Sequence, residues 1–419
     1  MVDYVIECLT FLLRWLHVVA AIAWIGESFY FVALDRGLKP PKDAEANLYG
    51  ESWSVHGGGF YRKQKYLPAP LQLPADVHWS KWKSYTTWMS GFALFTVMYL
   101  FSPQVYLIDP AVAALSTRDA VLLALAFPVI GWLLYDGLCR LLDDREEMLG
   151  AAVAGLVLLL CYAATHVFAG RAAFLIAGAV LGSIMSANVF FVIIPGQKKI
   201  IAALEKGETP DPGPGRRGKQ RSVHNTYFTL PVVFAMLSTH YATAYAHGDG
   251  WLVLAAFMAA GALIRQFFVL WHSGDRAWWL LVAGAAVLIA VFAWIRPVPR
   301  VAAATAAPVA ARSTGTVPAT PAPDGTSLAT ATAEVRTPQP DTEAIRIVLT
   351  RHCVQCHSAT PTLMGVAPKG MMFDTPQQIE SHAAVIERQV SVLRVMPPGN
   401  ITQMSEAERE AVTRWFTNR

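Results

Sequence analysis

Charge is what this sequence has least of. Of its 419 residues only 15% are Asp, Glu, Lys or Arg, against roughly a quarter in soluble globular chains, while 54% are hydrophobic. That balance excludes a soluble enzyme with one core and places most of the chain in lipid. Cysteine is sparse too. Of the five present, Cys8, Cys139 and Cys161 lie in or beside apolar segments and read as small buried hydrophobes, with no disulfide framework. The net charge of +4 is small and no nucleic-acid motif is present, so no nucleic-acid partner is expected. The first stretch, MVDYVIECLTFLLRWLHVVAAIAWIGESFYFVAL, lacks the basic flank and small-residue cleavage site of a signal peptide. It reads as a retained first membrane helix.

Long apolar runs are what the chain has in abundance. A hydrocarbon core about 30 Å thick takes roughly 20 residues of helix. Eight stretches qualify, at about 5–34, 88–108, 119–139, 150–169, 172–194, 226–246, 251–271 and 277–296. Basic residues cluster in the loops after the odd-numbered spans, from Arg36 and Lys39 through Arg216, Arg217 and Lys219 to Arg276. The opposite short loops carry only Arg118 and Arg171. The positive-inside rule then places the basic loops in the cytoplasm and both termini on the other face. In a bacterium this is a multi-pass inner-membrane protein with periplasmic termini. Residues 297–342, rich in Pro, Ala and Thr, read as a flexible linker. Globular character returns over 343–419.

That last segment holds Cys353-Val354-Gln355-Cys356-His357, the C-x-x-C-H pattern of covalent c-type haem attachment. Two thiols at this spacing reach the two vinyl groups of one macrocycle, and the adjacent His357 lies under the iron. A zinc site would need further ligands at suitable spacing, which His352 and His382 do not supply. For the sixth iron ligand the candidates are Met364, Met371, Met372, Met396, Met404 and His382. Met396 in LRVMPPGN is favoured, because it lies 39 residues past His357 and two prolines hold the following chain extended. Ser405 is the expected N-cap of a closing helix whose packing face is Val412, Trp415 and Phe416. Helix, C-x-x-C-H, loop, Met and closing helix resemble a class I cytochrome c. The expected fold is therefore all-α: an eight-helix transmembrane bundle over 1–296 and a tethered cytochrome c domain at 343–419. Such a haem, held by His357 and Met396, has no open coordination site and carries electrons one at a time, so substrate chemistry belongs elsewhere.

Ionisable side chains inside lipid are expensive and mark function. His17, Glu27, Asp136, His166, Asn188, His240, Arg265 and His272 lie in or at the ends of spans. A b-type haem takes one or two axial imidazoles from facing helices, and His17, His166 and His240 are its candidates. LRWLHVVAAIAWIGESFY also resembles the first helix of a family of small haem-binding membrane oxidoreductases that includes a protoporphyrinogen oxidase. The first cytoplasmic loop is dense in Trp, Tyr, His, Lys and Gly. Three glycines after His56 let backbone approach a ligand closely, and cations beside aromatics suit a flat, anionic substrate. His56, His78, Arg62 and Lys65 are the candidate catalytic residues.

GESWSVHGGGFY, HWSKWKSYTTWMSG, eight spans, a Pro/Ala tether and the terminal CVQCH…MPPGN together resemble the bacterial membrane-bound, cytochrome c-linked urate oxidase (urate hydroxylase) family. The resemblance implies oxidation of urate to 5-hydroxyisourate in purine breakdown. Electrons would leave through haem c to a soluble or membrane cytochrome c and a terminal oxidase. Two other readings fit the residues: a non-catalytic, membrane-anchored cytochrome c subunit, and a related quinol or porphyrinogen oxidoreductase.

Overall fold

The computed structural model describes residues 2–42, 46–296, 342–363 and 367–418. Residues 297–341 of the expected linker, and Met364, lie outside the described residues. The chain is mostly helical. Helix α1 (Val2–Arg36) is followed by strands β1 (Leu48–His56) and β2 (Gly59–Tyr66). Helix α2 (Trp82–Phe95) runs on through a π-helical stretch, Thr96–Leu100, to the short α3 (Pro103–Tyr106). Next come α4 (Thr117–Leu141), α5 (Glu146–Val167) and α6 (Gly170–Ala187), which continues through a second π stretch, Asn188–Ile193, into α7 (Ile194–Glu205). Helices α8 (Gly213–Ser238), α9 (Ala242–Tyr245), α10 (Gly250–His272) and α11 (Trp278–Trp294) complete this part.

Among the described residues, five helical stretches are long and apolar enough to cross a membrane: Val5–Arg36, Thr117–Leu141, Glu146–Val167, Gly170–Glu205 and Gly250–His272. Trp278–Trp294 is apolar but shorter. Helix α8 opens with Arg216, Arg217, Lys219 and Arg221, which breaks its apolar run. Helix α6 is the centre of the core, with Phe174, Ile176, Leu181 and Ile184 all buried. Small residues let its neighbours come close, as membrane helices commonly do. A Cβ on Gly178 would lie 2.6 Å from that of Ala235 on α8, and one on Gly131 of α4 would lie 2.5 Å from Val180. By contrast Phe11, Trp15 and Ile22 of α1 stay exposed, the pattern of a helix that faces lipid.

The loop between α1 and α2 corrects the all-α expectation, because its first half is a β-hairpin. Antiparallel β1 and β2 pair Trp53 with Arg62 and His56 with Gly59. Between them Gly57 and Gly58 take φ of 58° and 80°, the left-handed conformation that a two-residue hairpin turn requires. The glycines after His56 thus make a turn, with nothing within 4 Å of where a Cβ would stand at Gly57 and Gly58.

Residues 342–418 have a core of their own, built from Ile345, Leu349, Phe373, Ile379, Ile386, Val412 and Trp415. Its helices are α12 (Thr342–His352), α13 (Pro376–Ser381), α14 (Ala383–Glu387) and α15 (Glu406–Thr417). Ser405 caps α15 in a reciprocal capping box with Glu408, and Val412 and Trp415 face the core as the sequence predicts.

Candidate functional site

A cavity of about 770 Å³ opens at the end of the helical region that carries the basic loops. Helix α1 supplies Trp24, Glu27, Ser28 and Asp35, the hairpin supplies Tyr49 and Lys65, and the segment before α2 supplies His78, Trp79 and Ser80. The far wall is α8, with Asn225, Thr226, Tyr227 and Thr229, together with Gln197 of α7 and Val269 of α10. Its size suits a small ligand. Aromatic faces, hydroxyls, an imidazole and an ion pair in one space suit a planar, hydrogen-bonding one.

Ion pairs hold the walls in place. Lys65 pairs with Asp35, which fastens the hairpin to α1, and Lys63 lies 4.9 Å from the Tyr30 ring centroid. Glu27 accepts from Lys83 Nζ at 2.7 Å and also from Ser80 Oγ, which ties the start of α2 to α1. Behind the α8 wall is a buried polar network on the second π stretch. Asn188 donates to Asn225 Oδ1 at 2.8 Å and to Tyr135 Oη at 3.2 Å. Arg221 donates to Asp136 at 2.7 Å, and Tyr135 Oη lies 2.7 Å from His224 Nδ1. Such π stretches often sit at functional sites, and this one sets Asn225 against the cavity.

Of the candidate catalytic residues, the structure brings His78 and Lys65 to the cavity. His56 is exposed beside the hairpin turn, and Arg62 pairs with Glu51 at 2.6 Å. Missed by sequence reasoning were Ser28, Asn225, Thr226 and Thr229. The spacing of Asn225 and Thr229, one helical turn apart at the start of an apolar stretch, was a legible signal.

The three histidines expected within the membrane turn to different neighbours. His17 is half-buried between α1 and α2, its Nδ1 2.9 Å from Thr87 O and 3.3 Å from Ser90 Oγ. Its ring occupies the space that Gly91 leaves open, since a Cβ there would lie 2.7 Å from His17 Cε1. His166 stacks on Tyr162 at 3.9 Å and is exposed. His240, also exposed, sits in the turn after α8.

In the C-terminal part, Cys353, Cys356 and His357 lie in the tight turn that ends α12. His357 N donates to Cys353 O at 2.7 Å, and Cys356 N to the same oxygen at 3.0 Å. His357 Nδ1 lies 3.0 Å from Met371 O. Donation to that carbonyl leaves Nε2 as the ligating nitrogen. The ring stacks on Phe373 with centroids 4.8 Å apart. Burial pushes the His357 pKa down, against a smaller upward pull from the Met371 carbonyl, which favours the neutral, ligating form. Met396 packs against the domain core, and Arg409 Nη1 holds its carbonyl at 2.7 Å. Met404 is buried in that core, while His352 is committed to Thr402 at 2.9 Å and Glu408 at 3.0 Å. Two thiols and an oriented imidazole on one turn fit the demands of a covalently attached haem. Among the described residues no group of three His, Cys, Asp or Glu side chains is arranged to hold a bare metal ion.

Searches of curated proteins and of solved structures returned no match. The family model described as urate oxidase N-terminal matches residues 3–296, the segment that encloses the whole cavity. With well over half of its length matched, the chain belongs to the urate oxidase N-terminal family.

Proposed function

We propose that this protein is a membrane-bound urate oxidase that passes its electrons to a covalently held haem c in its own C-terminal domain. The observation that carries the reading is the cavity itself. It lies wholly within the family-matched segment and gathers Trp24, Trp79, Tyr49, His78 and the Lys65–Asp35 pair around one space. A planar purine fits between aromatic faces, and Asn225, Thr226 and Ser28 offer hydrogen-bonding groups to its edges. Conversion of urate to 5-hydroxyisourate adds water at C5 and releases two electrons and two protons. His78 is placed to take a proton as the ring is oxidised, and Lys65, paired with Asp35, borders the same space. His56 and Arg62, on the hairpin, are assigned to the approach to the cavity.

A c-type haem, when bound, accepts one electron at a time and hands it on. Cys353 and Cys356 would hold it covalently, His357 would present Nε2 to the iron, and Met396 would be the second protein ligand. Its electrons then pass to a soluble or membrane cytochrome c and a terminal oxidase. In this reading the helical region crosses the bacterial inner membrane eight times, with α2, α8 and α11 completing the set. The basic loops and cavity face the cytoplasm, where urate arises, and both termini face the periplasm. Electrons must therefore cross much of a ~30 Å hydrocarbon core. His17, half-buried between two helices, is the candidate ligand for a b-type haem on that route, with His166 and His240 nearer the periplasmic end.

Anaerobic addition of urate to the purified protein tests the reading, with the c-type absorption followed and haems counted by pyridine haemochrome. Reduction by urate is expected. A haem reduced by dithionite but never by urate would favour the non-catalytic electron-transfer subunit, and reduction by a quinol or porphyrinogen in its place would favour that substrate class.

A further inference from the structure

Arg265 is a cation buried deep in the helical region, only 3% exposed. Its Nε and Nη2 are both buried without a hydrogen-bond partner. These two atoms form one edge of the guanidinium, the edge that grips two acceptor atoms side by side. Leaving that edge empty in a low-dielectric interior is costly, so it calls for a ligand.

Helix α10 places Arg265 beside the cavity. Gly261, Arg265 and Val269 succeed one another at one-turn spacing and share a face. Gly261 packs on α8, where a Cβ would stand 3.1 Å from Leu230 and 3.3 Å from the Pro231 nitrogen. Val269 lines the cavity. Arg265 lies between them, one turn deeper than Val269. The guanidinium stacks on Phe29 at 4.0 Å, next to the cavity residue Ser28. Its neighbour Gln266 accepts from Tyr227, which also lines the cavity. Of the other cations near the space, Lys65 pairs with Asp35 and Lys83 with Glu27, while Arg36 and Lys219 also line it.

We propose that Arg265 is an anion-binding residue beside the inner end of the cavity, its unpartnered edge taking a planar anion with two adjacent acceptors. A carboxylate has this shape, and so does the oxygen–nitrogen edge of a deprotonated oxopurine. The inference deepens the urate reading and rests on it for the identity of the ligand. It does not rest on it for the charge.

The test is equilibrium binding to the full-length protein in lipid nanodiscs, with urate and benzoate as separate probes. Arg265→Gln is expected to weaken both at least tenfold, and Arg265→Lys, which keeps the charge but loses the paired edge, to fall between. Folding is checked by circular dichroism and gel filtration. A folded Gln variant that binds both probes like wild type overturns the proposal, as does a wild type that binds neither. Arg265-dependent benzoate binding without urate binding upholds the anion site and sinks the urate reading instead. If the Gln variant does not accumulate, the Lys variant decides, and unchanged affinity for both anions overturns the assignment.

Discussion

Gly399, in the loop after Met396, sits directly on the backbone carbonyl of Ile108, so close that any side chain there would overlap the oxygen. Its φ of 54° is one that glycine adopts freely. Ile108 belongs to the segment after α3, at the end of the helical region away from the cavity. The contact therefore seats the Met396 loop, and the C-x-x-C-H turn with it, against the helices.

Gly399→Val is expected to loosen this seat without unfolding either part. A non-glycine residue at positive φ costs about 1 kcal/mol, before any overlap is counted. A disulfide cross-link engineered between positions 109 and 400 should form in the parent protein and fall sharply in the Val variant, while covalent haem content is unchanged.

Cys353→Ala or Cys356→Ala should abolish stable covalent haem, while membrane insertion persists because residues 342–418 have their own core. Met396→Ala should retain haem, held by Cys353, Cys356 and His357, with a shifted potential and visible spectrum. Haem staining of denaturing gels and redox titration read the two outcomes apart.

His78→Ala should lower urate-dependent haem reduction at least a hundredfold, the span of general acid–base catalysis, and leave reduction by dithionite intact. His56→Ala, remote from the cavity walls, should cost far less. Equal losses would place the chemistry at the hairpin tip rather than in the cavity.

Gly91→Ala meets His17 Cε1 at 2.7 Å and must push the imidazole aside. Overpacking of this kind costs about 1–3 kcal/mol, so a lower thermal midpoint is expected. If His17 serves electron transfer, urate binding should survive and internal haem reduction should slow.

Acid should weaken the C-terminal domain through Glu408. Hydrogen bonds from the Ser405 backbone and side chain, with a further one from His352, hold its pKa down at about 2, below an ordinary 4.5. A folded-state pKa lowered in this way stabilises above the unfolded value, and the benefit is lost as pH falls from 4.5 toward 2. Hydrogen exchange in α15 should show that loss in wild type, and Glu408→Gln should flatten it.

Local patterns carried much of this protein. Apolar runs of membrane length, the spacing of Cys353, Cys356 and His357, and the Ser405–Glu408 capping box are short-range signals set by helix geometry and bond reach. The hairpin was half visible, since its alternating strands flank a Gly-Gly turn, but its aromatics and lysines also read as a ligand-binding loop. Tertiary structure alone decided what meets what. Lys65 finds Asp35 and Lys83 finds Glu27 only because the hairpin and α2 fold back on α1. The cavity exists because α1, the segment before α2, and α8 converge, and no periodicity encodes a convergence. Arg265 was visible as an ionisable residue in an apolar run, whereas its burial against Phe29 with an unpartnered edge came from tertiary packing. Contact between distant segments fixes such partners, and a linear pattern holds no record of it.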